Sequence, residues 1–464
     1  MLTGTLTYNN KSFIFILDEN IKELQLIPLT EEKTVMNGIN FINSSASVMQ
    51  EPYLIVIINE NHKKMIAITE LQSPIRSVNN VLYVILFAYI IIDSDDSKKI
   101  NKMTFCSPEI NRIFNVNKAF YLPYEDIMEF HEKGTITIKT NDFDSTTSEK
   151  QSFKVNDTEV YVRFEITREI STIIGNPPLS LNSCLCFNFE ATDDYSFIID
   201  LWRYAKSFIR YLCFRRNIYF SSIELYSPDS QDKHSKIGTL YVFSDRQEPE
   251  QEPNKSGRCI KYEYISGNEG KILSDIAENN LYLRHLPKTY EDSKHIDIAS
   301  FIMTTAAFEW EFKRNYPNGI VKSQSTIKAE DIVSKQIQKL LDKSTGKAKD
   351  KYKFLLRLVK SDSLLSEIIQ ISKDYSKIID IFGNHLYKIN QSELKYNEMT
   401  KRISDQRNHF AHGDLDKEFI SDSLTDVIFL RYIIYALQLK SYSLSDENIK
   451  KSINDLFHFN LALR

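Results

Sequence analysis

The spacing of apolar residues changes once along this 464-residue chain, and that change bounds what it can fold into. From Met1 to about Glu190, β-branched and apolar residues alternate with polar ones. Gly4-Thr5-Leu6-Thr7-Tyr8, Phe13 to Leu17, Tyr53 to Ile58 and Met65 to Ile68 all show it, as do Gly134 to Ile138 and Val160 to Ile166. A two-residue period places alternate side chains on one face of a strand, so this half reads as antiparallel sheets, a sandwich or a curved sheet. One helix interrupts it near Asp193-Asp194, with Phe197, Leu201, Tyr204, Ala205, Phe208 and Leu212 as its core stripe. Strands resume at Ile218-Tyr219-Phe220 and Gly238 to Phe243, and the charged stretch Asp245 to Gly257 reads as a solvated loop.

From Ile272 onward the period becomes three to four. The spacing predicts helices over Ile298 to Asn315, Ile332 to Leu341, Lys351 to Val359, Leu364 to Leu386, Glu393 to Ala411, Ser423 to Leu439 and Asp446 to Leu463. The expected fold class is therefore α+β. A β-rich domain (residues 1–271: antiparallel sheets with one long helix) precedes an all-α bundle (residues 272–464).

Composition narrows the function. A net charge of −4 and a pI near 6.2 disfavour a surface that gathers polyanions everywhere, so any nucleic-acid site must be local. The apolar run Val81 to Ile92 is too short to span the roughly 30 Å of a bilayer core as a helix, and reads as a buried strand or core helix. No basic region and apolar stretch opens the chain, so neither membrane nor secretion signal is expected. Cys106, Cys184, Cys186, Cys213 and Cys259 form an odd set without a disulfide pattern, which points to a reducing cytoplasm. Cys184-x-Cys186 lacks the further ligands a zinc site needs, so two ordinary strand residues are expected and no metal or other cofactor. Neither a phosphate-binding loop nor a dinucleotide fingerprint occurs.

The chemistry is concentrated in Arg407-Asn408-His409-Phe410-Ala411-His412. Cutting RNA without a metal requires activation of a ribose 2′-hydroxyl, stabilisation of charge on the phosphoryl oxygens and a proton for the leaving 5′-oxygen. Histidine exchanges protons near neutral pH. Arginine offers a permanently charged fork that fits phosphate, and asparagine positions either by hydrogen bonding. On a helix Asn408 and His412, four apart, share a face. The plainer reading stays open: Arg407 and His412 at a helix end, capping carbonyls or pairing with Asp405, Asp414 or Asp416.

Arg407-Asn408-x-x-x-His412, late in a helical domain, resembles the Arg-x(4–6)-His motif of the HEPN superfamily. The wider helical part is similar to the HEPN domain of ApeA-like anti-phage proteins, with Glu309 in Ala306 to Phe312 at that family's first-helix acidic position. The opening Gly4-x-Leu6-x-Tyr8 and the β-rich layout resemble the ApeA N-terminal domain. The resemblance implies a metal-independent endoribonuclease acting on tRNA or other cellular RNA in abortive infection. It also implies a homodimer with a composite site, and a β-rich domain that senses a phage-derived trigger. Arg407, Asn408 and His412 would be catalytic, with Glu309 and His409 in support. Arg402 and His409 also satisfy the spacing; Asn408 directly after Arg407 favours the first pair.

Lys343, Lys347, Lys349, Lys351 and Lys353 cluster between two expected helices, as an RNA-backbone patch or as a solvated loop. A second functional class also stays open: a non-catalytic binding or sensing module that dimerises through its helical domain.

Overall fold

A computed structural model describes residues 1–8, 11–29, 53–69, 76–78, 81–93, 98–121, 139–142, 146–175, 177–228, 234–246, 258–360, 362–411, 413, 419 and 421–463. The chain divides into two compact units. The first comprises residues 1–280 with 288–290, and the second residues 281–287 with 291–464. An α+β class with a β-rich first half and a helical second half is thus what the chain adopts. The strand expected over Gly134 to Ile138, and most of the charged loop after Asp245, lie outside the described residues.

The first unit opens with β1 (Leu2–Tyr8), β2 (Lys11–Asp18), β3 (Glu23–Pro28), β4 (Tyr53–Ile58), β5 (Lys64–Thr69), β6 (Arg76–Val78) and β7 (Val81–Ile92). Val81 to Ile92 is a strand, and its length closes a barrel. Leu82 to Ile85 pair with β3, while Leu86 to Ile92 pair with β5. The ring β7-β3-β2-β1-β4-β5 returns to β7, antiparallel at every step. Alternation then has a plain outcome: Leu6, Phe13, Phe15, Leu17, Leu24, Leu26, Leu54, Val56, Met65, Val84 and Leu86 fill one interior.

Closure forces tight contacts between strands. At Gly4, a Cβ would overlap the Ile57 carbonyl oxygen and come within 2.5 Å of the Phe15 ring. Gly4→Ala is therefore expected to cost about 1–3 kcal/mol, as overpacking of a closed core does. Denaturant midpoints check this, and an unchanged midpoint would show that the barrel yields at β1.

The β-structure continues through β8 (Ile100–Cys106), β9 (Phe120–Tyr121), β10 (Lys139–Thr140), β11 (Gln151–Val155), β12 (Thr158–Ile170), β13 (Leu179–Thr192), β14 (Ser222–Pro228) and β15 (His234–Val242). β9 and β10 form a small separate ladder. The others line up as β11-β12-β13-β8-β14-β15, and β15 joins the far edge of β7. The expected helix is α1 (Tyr195–Cys213), capped by Asp194, whose carboxylate accepts from Ser196 N and Phe197 N. Phe105, Phe153, Phe164 and Phe187 form the aromatic face of this sheet, and Phe208 of α1 sits 6.3 Å from Phe164.

The helix α2 (Glu269–Ala277) spans the residue-271 boundary expected from the sequence but belongs to the first unit. It lies so close to β11 that a Cβ on Gly270 would run into the Ser152 carbonyl. The change of period at Ile272 marks this helix, while the units separate about ten residues later.

The second unit holds α3 (Ile298–Asn315), α4 (Gln324–Asp342), α5 (Gly346–Lys360), α6 (Leu364–Asp374), α7 (Ser376–Ile389), α8 (Tyr396–Ala411), α9 (Ser423–Ser441) and α10 (Asp446–Leu456). α9 is its centre. Most of its residues are buried on every side, because α3, α7, α8 and α10 all pack on it. The single helix expected over Leu364 to Leu386 is two: Tyr375, buried and with ψ near 7°, ends α6 and lets α7 start in a new direction. Among the described residues no helix is long and apolar enough to cross a membrane.

Candidate active site

The site is built on α8. Met399, Ile403 and Phe410 form its buried stripe, and Phe410 meets the Phe301 and Phe419 rings edge-on at 5.5 and 5.3 Å. Arg407, one turn after Ile403, falls at the border of that stripe and reaches α3. There Nη1 lies 2.6 Å from Glu309 Oε1, and Nη2 donates to Oε2 at 3.0 Å. Two parallel contacts hold the guanidinium plane. The side chains remain 37% and 23% exposed, so a solvent-borne anion can reach this charge.

Asn408 is exposed beside Arg407, and His409 is half-buried. Gly413 has φ +85°, the left-handed conformation that ends helices, and its N–H donates to the Phe410 carbonyl. His412, Asp414 and Asp416 lie outside the described residues, so the geometry bears only on the arginine half of the motif.

Arg402, the other arginine with a fitting spacing, is committed elsewhere. Its Nε and Nη2 each donate to Asp426 of α9 at 2.7 Å, and the Tyr387 hydroxyl donates to the same carboxylate. Asp426 is fully buried; burial pushes its carboxyl up, and the Arg402 contacts pull it back. Arg402 is thus a tie between α8 and α9. The two acids of the α3 segment divide in the same way. Glu309 faces Arg407, whereas buried Glu311 accepts from Gln438, Arg314 and the Tyr282 backbone.

A further group that the sequence gave no reason to single out is Glu367 of α6, which packs on α8. Burial pushes its carboxyl up to about 7; the negative charge of Glu309 adds to the shift, and Lys313 and Arg407 oppose it. Its Oε2 has no hydrogen-bond partner among the described residues. In sequence it reads as an ordinary first-turn acid, because nothing local shows that it is buried.

This carboxyl links stability to pH. Between its unfolded value of about 4.3 and its folded value of about 7, the native state keeps a proton that the unfolded state has lost. Stability therefore falls as pH rises through that window, by about 4 kcal/mol for this group, and levels off above it. Glu367→Gln is expected to match the wild type at pH 4 and exceed it at pH 8. Unfolding curves at the two pH values test this; an equal drop in both proteins would contradict it.

The lysines are helical rather than loop residues. Lys347, Lys349, Lys351 and Lys353 are exposed on the first turns of α5, and Lys343 caps α4. At 100° per residue, Lys347 and Lys351 share one face and Lys349 and Lys353 nearly the opposite one, so they form two short rows, not one patch. Asp350 lies 3.8 Å from Lys353.

A cleft of about 490 Å³ opens between Lys322, Glu330, Asp362, Ser366, Lys373 and Asn397. Lys322 there is already bound to Glu330 at 2.8 Å and Asp362 at 3.2 Å. Arg407 and Glu309 do not line it. The Cys184-x-Cys186 pair sits on one face of β13, both residues buried, as ordinary strand residues do.

What this unit presents is a helical domain with an arginine fork clamped to a carboxylate at an accessible helix end. No family model, curated protein or solved structure matches the chain.

Proposed function

We propose that the chain is a metal-independent endoribonuclease of the HEPN type, an ApeA-like defence effector that cuts cellular RNA, tRNA among it, when phage infection triggers it. The observation that carries this reading is the bidentate Arg407–Glu309 pair, which aims and fixes a half-exposed guanidinium directly beside Asn408. A fork fixed in this way is ready to accept a phosphate on its open edge without first losing side-chain freedom. Arg407 would stabilise the charge on the phosphoryl oxygens and Asn408 would orient the phosphate. His412 would move the proton between the 2′-hydroxyl and the leaving 5′-oxygen. Attack by the 2′-oxygen forms a 2′,3′-cyclic phosphate and releases a 5′-hydroxyl.

One histidine does not serve comfortably as both base and acid. The reading therefore includes a homodimer whose two motifs face each other, with Lys347, Lys349, Lys351 and Lys353 adding backbone affinity. The β-rich unit would hold the domain at rest until a phage-derived trigger binds in the cytoplasm.

Expression in bacteria tests this. Wild-type protein should slow growth or restrict phage, and Arg407→Ala and His412→Ala should do neither; equal behaviour of all three would remove the catalytic assignment. The same ion pair favours one other reading, in which Arg407 only staples α8 to α3 in a non-catalytic binding module that dimerises through its helices. Arg407→Ala separates the two: a staple loses stability with it, whereas a catalytic arginine leaves the fold intact and takes RNA cleavage with it.

A further inference from the structure

β8 and β13 place two thiols opposite each other. Cys106 and Cys184 are register partners on adjacent antiparallel strands, so their side chains leave the sheet on the same face. The direction of the flanking hydrogen bonds shows which kind of pair they form. The Cys106 carbonyl accepts from Ser221 N and Oγ, toward β14 and away from β13. On the other strand, Ser183 N–H points to the β8 side, donating to Asn111 Oδ1 at 2.7 Å, so the backbone polar groups of Cys184 point away from β8. Cys106 and Cys184 are therefore a non-hydrogen-bonded pair, the closer of the two types, with Cα atoms about 4.5 Å apart. That separation lies inside the window of roughly 4.4–6.8 Å that a disulfide needs, near its short end.

The environments of the two sulfurs differ. Cys106 is half-buried and Cys184 is buried. Cys184, opposite it in the register, holds the Cys106 thiol below the ordinary value against the upward push of burial. The same contact, together with burial, raises Cys184. Cys106 is thus the sulfur that solvent reaches and that ionises first, and Cys184 is a resolving thiol already in place. Cys186 faces Thr104 instead, at 3.7 Å, and is fully buried.

We infer that Cys106 and Cys184 form a reversible cross-strand disulfide in response to peroxide. The Cys106 thiolate attacks a peroxide oxygen, the O–O bond breaks, and hydroxide leaves and is protonated to water; Cys106 is now a sulfenic acid. Cys184 attacks that sulfur, the S–S bond forms, the S–O bond breaks, and a second water departs with the Cys184 proton. Two thiols and one hydrogen peroxide give one disulfide and two waters. A dithiol reverses the change by thiol–disulfide exchange: its thiolate attacks one sulfur, the S–S bond breaks, and both cysteines return to thiols as the dithiol closes its own disulfide.

The test is thiol titration of the full chain, denatured after treatment so that buried thiols react, followed by peptide mass spectrometry without reduction. After hydrogen peroxide the titratable thiols should fall from five to three, and dithiothreitol should restore them. Cys186→Ser should still yield the Cys106–Cys184 link. Cys184→Ala should leave Cys106 as a sulfenic acid trapped by dimedone, with thermal melting confirming that both variants fold. Retention of five thiols, a link elsewhere, or passage of wild-type Cys106 to sulfinic acid without a link would each overturn the inference.

Discussion

Arg402→Ala is expected to remove about 3–5 kcal/mol of stability from the helical unit, the scale for removing one partner of a buried ion pair. Asp426 has no solvent exposure and, among the described residues, its carboxylate keeps only the Tyr387 hydroxyl once Arg402 is gone. Burial already pushes its carboxyl up, so the lone acid should take up a proton and its effect should weaken at low pH. Asp426→Asn, which keeps the shape and removes the charge, should cost less at neutral pH than the arginine truncation. Denaturant unfolding measures both. A loss below about 1 kcal/mol for Arg402→Ala would mean that α8 and α9 are held by packing alone.

Arg407→Ala should show the opposite profile. Its ion pair is partly exposed, and such pairs contribute about 0.2–1 kcal/mol, so unfolding should barely change. RNA cleavage should fall about 10²- to 10³-fold, the scale for losing a donor to charge that develops in the transition state. His412→Ala should lose about 10²- to 10⁴-fold as a missing proton carrier. Arg407→Lys keeps the charge but loses the fork, so it should recover only part of the rate. On the ribonuclease reading, two arginines five residues apart on one helix have separable duties: Arg402 in stability and Arg407 in turnover.

Much of this architecture was legible from residue order. The period of three to four places α3 over Ile298 to Asn315, where it lies. Asp194, in the acidic pair where the sequence places the helix start, caps α1. What stayed hidden depends on distant partners. The barrel closes because one twelve-residue strand pairs with β3 near its start and with β5 further on, and alternation reads the same in an open sheet. Tyr375 breaks a helix without proline or glycine, and the apolar stripe runs on across the break. In α5, lysines at every second residue obscure the period carried by Tyr352, Leu356 and Val359.

The candidate site divides along the same line. Arg407 and Asn408 stand out by type and spacing, and Glu309 by resemblance alone. The contact between Glu309 and Arg407 bridges 98 positions of sequence. Glu367 depends wholly on burial, which no local pattern reveals.

The most direct test of the ribonuclease reading is to incubate the purified full-length protein with total cellular RNA in EDTA, with phage lysate as the source of trigger, and to map the new ends by sequencing. The account expects discrete cuts bearing 5′-hydroxyl ends with the wild type, and their loss with His412→Ala and Arg407→Ala. RNA left intact by the wild type with lysate present, or cut equally by all three proteins, would contradict it.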